Sequence, residues 1–214
     1  MMKKSMMVVI LGAALLMLAP PVTAAISYVS VTTVDGQFVA SGGAYGKGSL
    51  TFAKNPIDIV MQDTLGAQTT FGGGQFSLSS DLFADLSSGG LVKGDFRGGN
   101  LLFKDSGGNV LLSGASLSLT LDEQDVYVPP IPTPVYVYLT GTGLFSVTGG
   151  SLMGDFGSQG SVVEITFNLS PTNPVNLSQS FSGTMNMSAV PVPEPATLAI
   201  LGLGGLLLRR KRLA

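Results

Sequence analysis

The 214-residue sequence has no cysteine, no histidine and no tryptophan. Without cysteine there are no disulfides and no thiol nucleophile, so an oxidising compartment adds nothing to its stability. Without histidine there is no Ser-His-Asp triad, and without either residue no ordinary zinc site. Neither a Gly-x-Ser-x-Gly elbow nor a Ser-x-x-Lys pair is present. The segment Gly42 to Gly48 has the look of a phosphate loop, but Ser41 stands where the first glycine belongs and Gly48 where a Ser or Thr is required. A two-carboxylate glycosidase needs only a pair of Asp or Glu, yet the absence of tryptophan leaves few aromatic platforms for sugars. The expectation is a protein that is not an enzyme and holds no cofactor or metal. Sequons at Asn168, Asn176 and Asn186 are read as chance in an Asn- and Ser-rich chain.

Long apolar runs are also lacking, since neither of the two prominent ones reaches the ~20 residues of a membrane-spanning helix. The first, Met6 to Leu18, follows Lys3 and Lys4 and leads through Pro20 and Pro21 into Val22-Thr23-Ala24-Ala25. A basic start, a short apolar core and a small-residue exit form a secretory signal peptide, residues 1–24, with the cut expected between Ala24 and Ala25. Signal peptidase is the implied partner.

The second run lies at the other end of the sequence. Pro193-Glu194-Pro195 precedes thirteen apolar residues, Ala196 to Leu208, among them Leu198, Ile200, Leu201, Leu203, Leu206 and Leu207. Arg209, Arg210, Lys211 and Arg212 follow. As a helix the run would rise about 20 Å against a hydrocarbon core of about 30 Å. The positive-inside bias holds the four cations in the cytoplasm and leaves Pro193-Glu194-Pro195 on the translocated side of the inner membrane. Pro195 biases Glu194 toward an extended conformation, the form in which a protease reads a substrate.

These three elements, in this order, resemble the PEP-CTERM sorting signal. The resemblance covers residues 192 to 214, and the tail is taken as residues 190–214. It implies that exosortase, an integral-membrane cysteine protease thought to act as a transpeptidase, recognises Pro193, Glu194 and Pro195. It also implies a membrane-anchored precursor that passes to the cell surface or extracellular matrix of a Gram-negative-type bacterium making exopolysaccharide, which becomes an expected partner.

Between the two ends lies one domain, residues 25–189, long enough for a proper core. Of the eleven Lys and Arg only Lys47, Lys54, Lys93, Arg97 and Lys104 fall within it, against twelve of the thirteen acids, so its net charge is −7 where the whole chain has −2. Such a body has no electrostatic footprint for nucleic acid. Apolar and polar residues alternate in Ile26 to Val31, Gln75 to Ser79 and Ala115 to Leu121; Val135 to Thr140, Val162 to Leu169 and Val175 to Ser188 are also β-rich. Turn signals stand at Asn55-Pro56, Gly72-Gly73-Gly74, Gly89-Gly90, Gly98-Gly99-Asn100, Gly107-Gly108-Asn109 and Gly149-Gly150. A short helical turn is expected only at Asp81 to Leu86. The pattern predicts an all-β body, a β-sandwich or jelly-roll, flanked by a signal helix and a short C-terminal hydrophobic helix; a parallel β-helix is the alternative.

Gly74 to Ser79 echoes Gly143 to Thr148, and each leads on to a Gly-Gly and a Gly-Asp-Phe, which would put Asp95 and Asp155 in equivalent turns. Val128 to Pro134 carries four prolines and cannot be a central strand. Asp122-Glu123-Gln124-Asp125 is the densest acidic cluster and reads as a solvated loop, since no EF-type calcium loop accompanies it. Two functions remain open. One is an exported structural protein of the cell surface or matrix. The other is a carbohydrate- or partner-binding module using exposed loops and Tyr45, Tyr127, Tyr136 and Tyr138.

Overall fold

The structure, a computed structural model, describes residues 26–126, 136–172 and 175–192. Nine strands account for its regular structure: β1 (Ile26–Val39), β2 (Ser49–Asp63), β3 (Gln68–Asp85), β4 (Lys93–Arg97), β5 (Asn100–Lys104), β6 (Val110–Val126), β7 (Tyr136–Gly149), β8 (Val162–Pro171) and β9 (Phe181–Pro191). Among the described residues there is no helix. Alternation drives this outcome. On β8, Val163, Ile165, Phe167 and Leu169 are buried while Glu164, Thr166, Asn168 and Ser170 are exposed; on β9 the buried set is Phe181, Gly183, Met185, Met187 and Ala189.

Every ladder is antiparallel, and nearly every strand pairs with its neighbours in sequence. β4 and β5 share one lane between β3 and β6: β4 lies opposite Asp81 to Asp85, and β5 opposite Gln75 to Leu78. Gly98 and Gly99 separate them, both at positive φ, and a Cβ on Gly99 would run into the backbone of Ser79 and Ser80. β9 then pairs with β1, so among the described strands the ladder returns to its start and leaves no free edge.

The result is an up-and-down meander closed into a barrel of eight lanes. A jelly-roll requires Greek-key crossings, and none occurs among the described strands; a parallel β-helix requires parallel ladders. Alternation specifies which face of a strand is buried but not which strand lies beside it, and here short hairpin connections make the choice.

The cross-section is sandwich-like, with facing walls meeting over one core. Phe52 on β2 and Phe167 on β8 are edge to face with ring centroids 5.3 Å apart, although their strands are not neighbours. Phe38 on β1 stacks on Phe181 of β9 at 5.2 Å and meets Phe96 of β4 edge-on at 6.1 Å. A barrel of eight strands is just wide enough to be filled by side chains. Apolar residues point inward and Thr, Ser and Asn outward, the reverse of the pattern of a transmembrane barrel.

Several local expectations change. Asp81 to Asp85 continues β3 as strand, because Leu82 is buried and Asp81 and Asp85 pair with Arg97 and Gly94. Asn55-Pro56 lies within β2 as a cis peptide at a register shift. The three glycines Gly72 to Gly74 lie within β3, where a Cβ on Gly74 would meet Ile59 and the Lys104 carbonyl. Asp122 to Asp125 belongs to β6 instead of a loop. The echoed segments do not produce equivalent sites either: Asp95 lies in β4 opposite Thr120, while Asp155 sits in a turn after β7. The last strand, expected over Val175 to Ser188, starts only at Phe181, after a turn at 177–178, and runs on to Pro191. The proline-rich stretch, the signal segment and the tail from Pro193 onward lie outside the described residues.

Candidate functional site

The end of β9 carries the chain directly to Pro193. Pro191 is the ladder partner of Val163, and the Val192 amide donates to the Val162 carbonyl at 2.9 Å. The chain is therefore held in the sheet until one residue before Pro193-Glu194-Pro195. β1 lies beside β9 with Val29 opposite Ala189; three residues further along each strand stand Ile26 and Val192. Ile26, the second residue after the expected cut, and Val192, the last before the Pro-Glu-Pro motif, thus occupy neighbouring lanes at one end of the barrel. Ala24, Ala25 and the motif itself lie outside the described residues, as do Ala196 to Leu208 and Arg209 to Arg212.

The outer wall made by β6 to β9 and β1 carries a row of hydroxyls. Thr120 faces Thr142, Thr142 faces Thr166, Thr166 faces Ser188, and Ser188 faces Ser30. Thr120 and Thr142 share a hydrogen bond of 3.0 Å between side chains, and Thr166 and Ser188 one of 2.9 Å. The adjoining row runs Asp122, Thr140, Asn168, Asn186. Asn186 accepts a hydrogen bond from the Thr33 amide at 2.9 Å, holding the β1 irregularity at Thr33, whose φ is +56°. A shallow groove of about 430 Å³ follows these rows. A second groove of about 480 Å³ on another stretch of outer wall is likewise lined by Thr51, Ser77, Ser79, Asn100, Ser113 and Thr148. Hydroxyls and amides that both donate and accept, without charge, suit water and neutral polyols.

The charged groups serve local structure. Asp122 pairs with Lys93 at 2.8 Å, Asp35 with Lys54 at 3.2 Å and Asp95 with Arg97 at 3.2 Å. Arg97 also lies 3.8 Å from the centre of the Phe83 ring, which Tyr45 meets edge-on. Glu123 accepts from the Val92 amide at 2.7 Å, binding the β3–β4 connection to β6. The Asp105 carboxyl is held below its ordinary range, first by the Asn109 side chain and then by backbone amides of the β5–β6 turn. Among the described residues no three acids gather as a metal site.

Of the four tyrosines proposed for binding, Tyr45 is in the β1–β2 loop and Tyr138 on β7 opposite Gln124, and no ring contact among the described residues joins them. Tyr127 is outside the described residues, and Tyr136 pairs through its backbone with Val126. The hydroxyl rows escape a linear reading because their members come from five strands; the only signal is the run of Thr, Ser and Asn at outward positions such as Thr166, Asn168, Thr184, Asn186 and Ser188.

No curated protein and no solved structure matches the chain. One family model does, over residues 191–212, and it begins at the last residue of β9. Those residues are a PEP-CTERM protein-sorting motif, and the chain is an exported protein sorted through this tail by an exosortase.

Proposed function

We propose that the barrel is non-catalytic structural material of the cell surface or exopolysaccharide matrix, delivered through its tail by an exosortase that processes it at Pro193-Glu194-Pro195. The observation that carries this reading is the junction at Val192, where a filled, edge-free barrel passes without a spacer into the sorting motif. A closed sheet offers no strand edge for uncontrolled pairing, and outer walls of hydroxyls and amides keep such a body hydrated among sugars. Mass spectrometry of the surface fraction tests the processing. The expected mature chain lacks Met1 to Ala24 and ends near Pro193 to Pro195; a chain still ending at Ala214 overturns it. Deletion of the gene should weaken the matrix without loss of any secreted enzymatic activity.

The groove along Thr142, Thr166 and Asn168 favours a second reading, in which the wall binds a neutral polysaccharide. Pull-down with the host's own exopolysaccharide separates the two. Retention that disappears in a T142R/T166R variant supports binding, and no retention leaves the structural role.

A further inference from the structure

We infer that the end of the barrel where Ile26 and Val192 stand is its membrane-facing end in the anchored precursor, and that the tip of the β2–β3 hairpin touches the bilayer there. The inference rests on the sorting reading for the anchor and adds the orientation of the body and a lipid contact.

Chain length sets the geometry. Val192 is bonded into the sheet, and the apolar run begins at Ala196, four residues later. Four residues reach at most about 14 Å, whatever conformation they take. β9 extends away from this point for 11 residues, about 35 Å along the strand. A body tied so closely by one end cannot stand on its far end, because that would lift the attachment at Val192 about 35 Å from the surface, well beyond the reach of the link.

The near end is formed by the connections β2–β3, β5–β6 and β7–β8, because antiparallel lanes bring them all to the side on which β1 begins and β9 ends. At the tip of the first stands Leu65, 84% exposed. Its turn is rigid: the Asp63 amide donates to the Ala67 carbonyl at 3.0 Å, the Gly66 amide donates to the Asp63 carbonyl at 3.1 Å, and Asp63 Oδ1 accepts from the amides of Leu65 and Ala67 at 2.9 and 2.8 Å. A large apolar side chain is thus held out into solvent by a turn braced by four hydrogen bonds. Val190, 43% exposed, points outward two residues before the exit. Of the acids at this end, Asp63 and Asp105 are hydrogen-bonded within their own hairpins but keep their charge; with Asp155, Glu164 and Lys104 they leave this end net negative, so anionic headgroups would repel it. An electrically neutral bilayer is therefore the matching surface.

The absence of cysteine allows a direct test on the full chain. Single-cysteine variants T64C, S41C and L201C carry an environment-sensitive nitrobenzoxadiazole label and are reconstituted in phosphatidylcholine vesicles containing nitroxide lipids. Ser41 lies in the β1–β2 loop at the far end, and Leu201 in the apolar run. The expected result is strong quenching at residue 201, quenching at residue 64 severalfold above that at residue 41, and its loss in a T64C/L65E variant. If residue 201 is quenched and residue 64 no more than residue 41, the orientation is wrong while the anchor stands. If T64C/L65E is quenched as strongly as T64C, Leu65 is not the contact. If residue 201 is not quenched, the anchor fails and the orientation falls with it.

Discussion

The ring of Phe167 covers Gly141, its direct partner across the β7–β8 ladder, and fills the place a side chain there would take. Phe52 does the same over Gly36, its partner across β1 and β2. The two rings then meet at 5.3 Å in the middle of the barrel. Each glycine is a socket for the aromatic opposite, an arrangement that pins register as well as filling space.

Gly141→Ala should therefore destabilise the barrel by about 1 to 3 kcal/mol through overpacking. Gly154→Ala, with open space around its Cβ, should change stability by less than about 0.5 kcal/mol. Urea unfolding followed by circular dichroism reads both. Adding Phe167→Leu to Gly141→Ala should cost less than the sum of the two single changes, because the residues share one site.

Loss of an aromatic core residue should outweigh loss of any surface ion pair. Phe38→Ala removes contacts to Phe181 and Phe96 in a fully buried position and should cost about 3 to 5 kcal/mol. Lys93→Met breaks an ion pair whose partners are 51% and 37% exposed, and should cost less than about 1 kcal/mol. Glu123→Ala should fall between them, at about 1 to 2 kcal/mol, because it leaves the part-buried Val92 amide without its charged acceptor.

Acid should erase the difference between the natural chain and Asp105→Asn. The folded carboxyl titrates below its ordinary 3.8, so its contribution is present above that value and is lost as pH falls through the lower folded one. The stability gap between the two proteins, measured by urea unfolding, should be largest near neutrality and shrink toward zero well below pH 3.8.

The folding unit should end at Val192. A fragment of residues 26–192 keeps the ladder pairs of Ala189 with Val29 and Ile165, the pair of Pro191 with Val163, and the final bond from Val192 to Val162. Ending at Ser188 removes all of these and should cost about 2 to 3 kcal/mol at roughly 1 kcal/mol per hydrogen bond. Chemical denaturation of the two fragments checks this.

The β character was legible at every strand where apolar and polar residues alternate, as in Ile26 to Val31 and Val162 to Leu169. It was least legible where glycine or proline falls inside a long strand. Gly72 to Gly74 and Asn55-Pro56 have the chemistry of turns, and only the neighbouring strand shows that they are irregularities within β3 and β2. The Asp122 to Asp125 cluster misled for a related reason. Asp122 faces Lys93 and Glu123 the Val92 amide, partners about thirty residues away in sequence.

By itself the sequence determined that the protein is exported and sorted, and its strand content. The Pro-Glu-Pro motif, apolar run and basic end are contiguous, and contiguous signals are read without folding; alternation likewise needs only a few neighbouring residues. The tertiary structure alone decided that the ladder closes on itself, that hydroxyls of five strands align, that Phe167 meets Gly141, and that Ile26 and Val192 emerge side by side. Each of these depends on which strand lies next to which, a long-range choice settled by packing one filled core and leaving no edge unpaired.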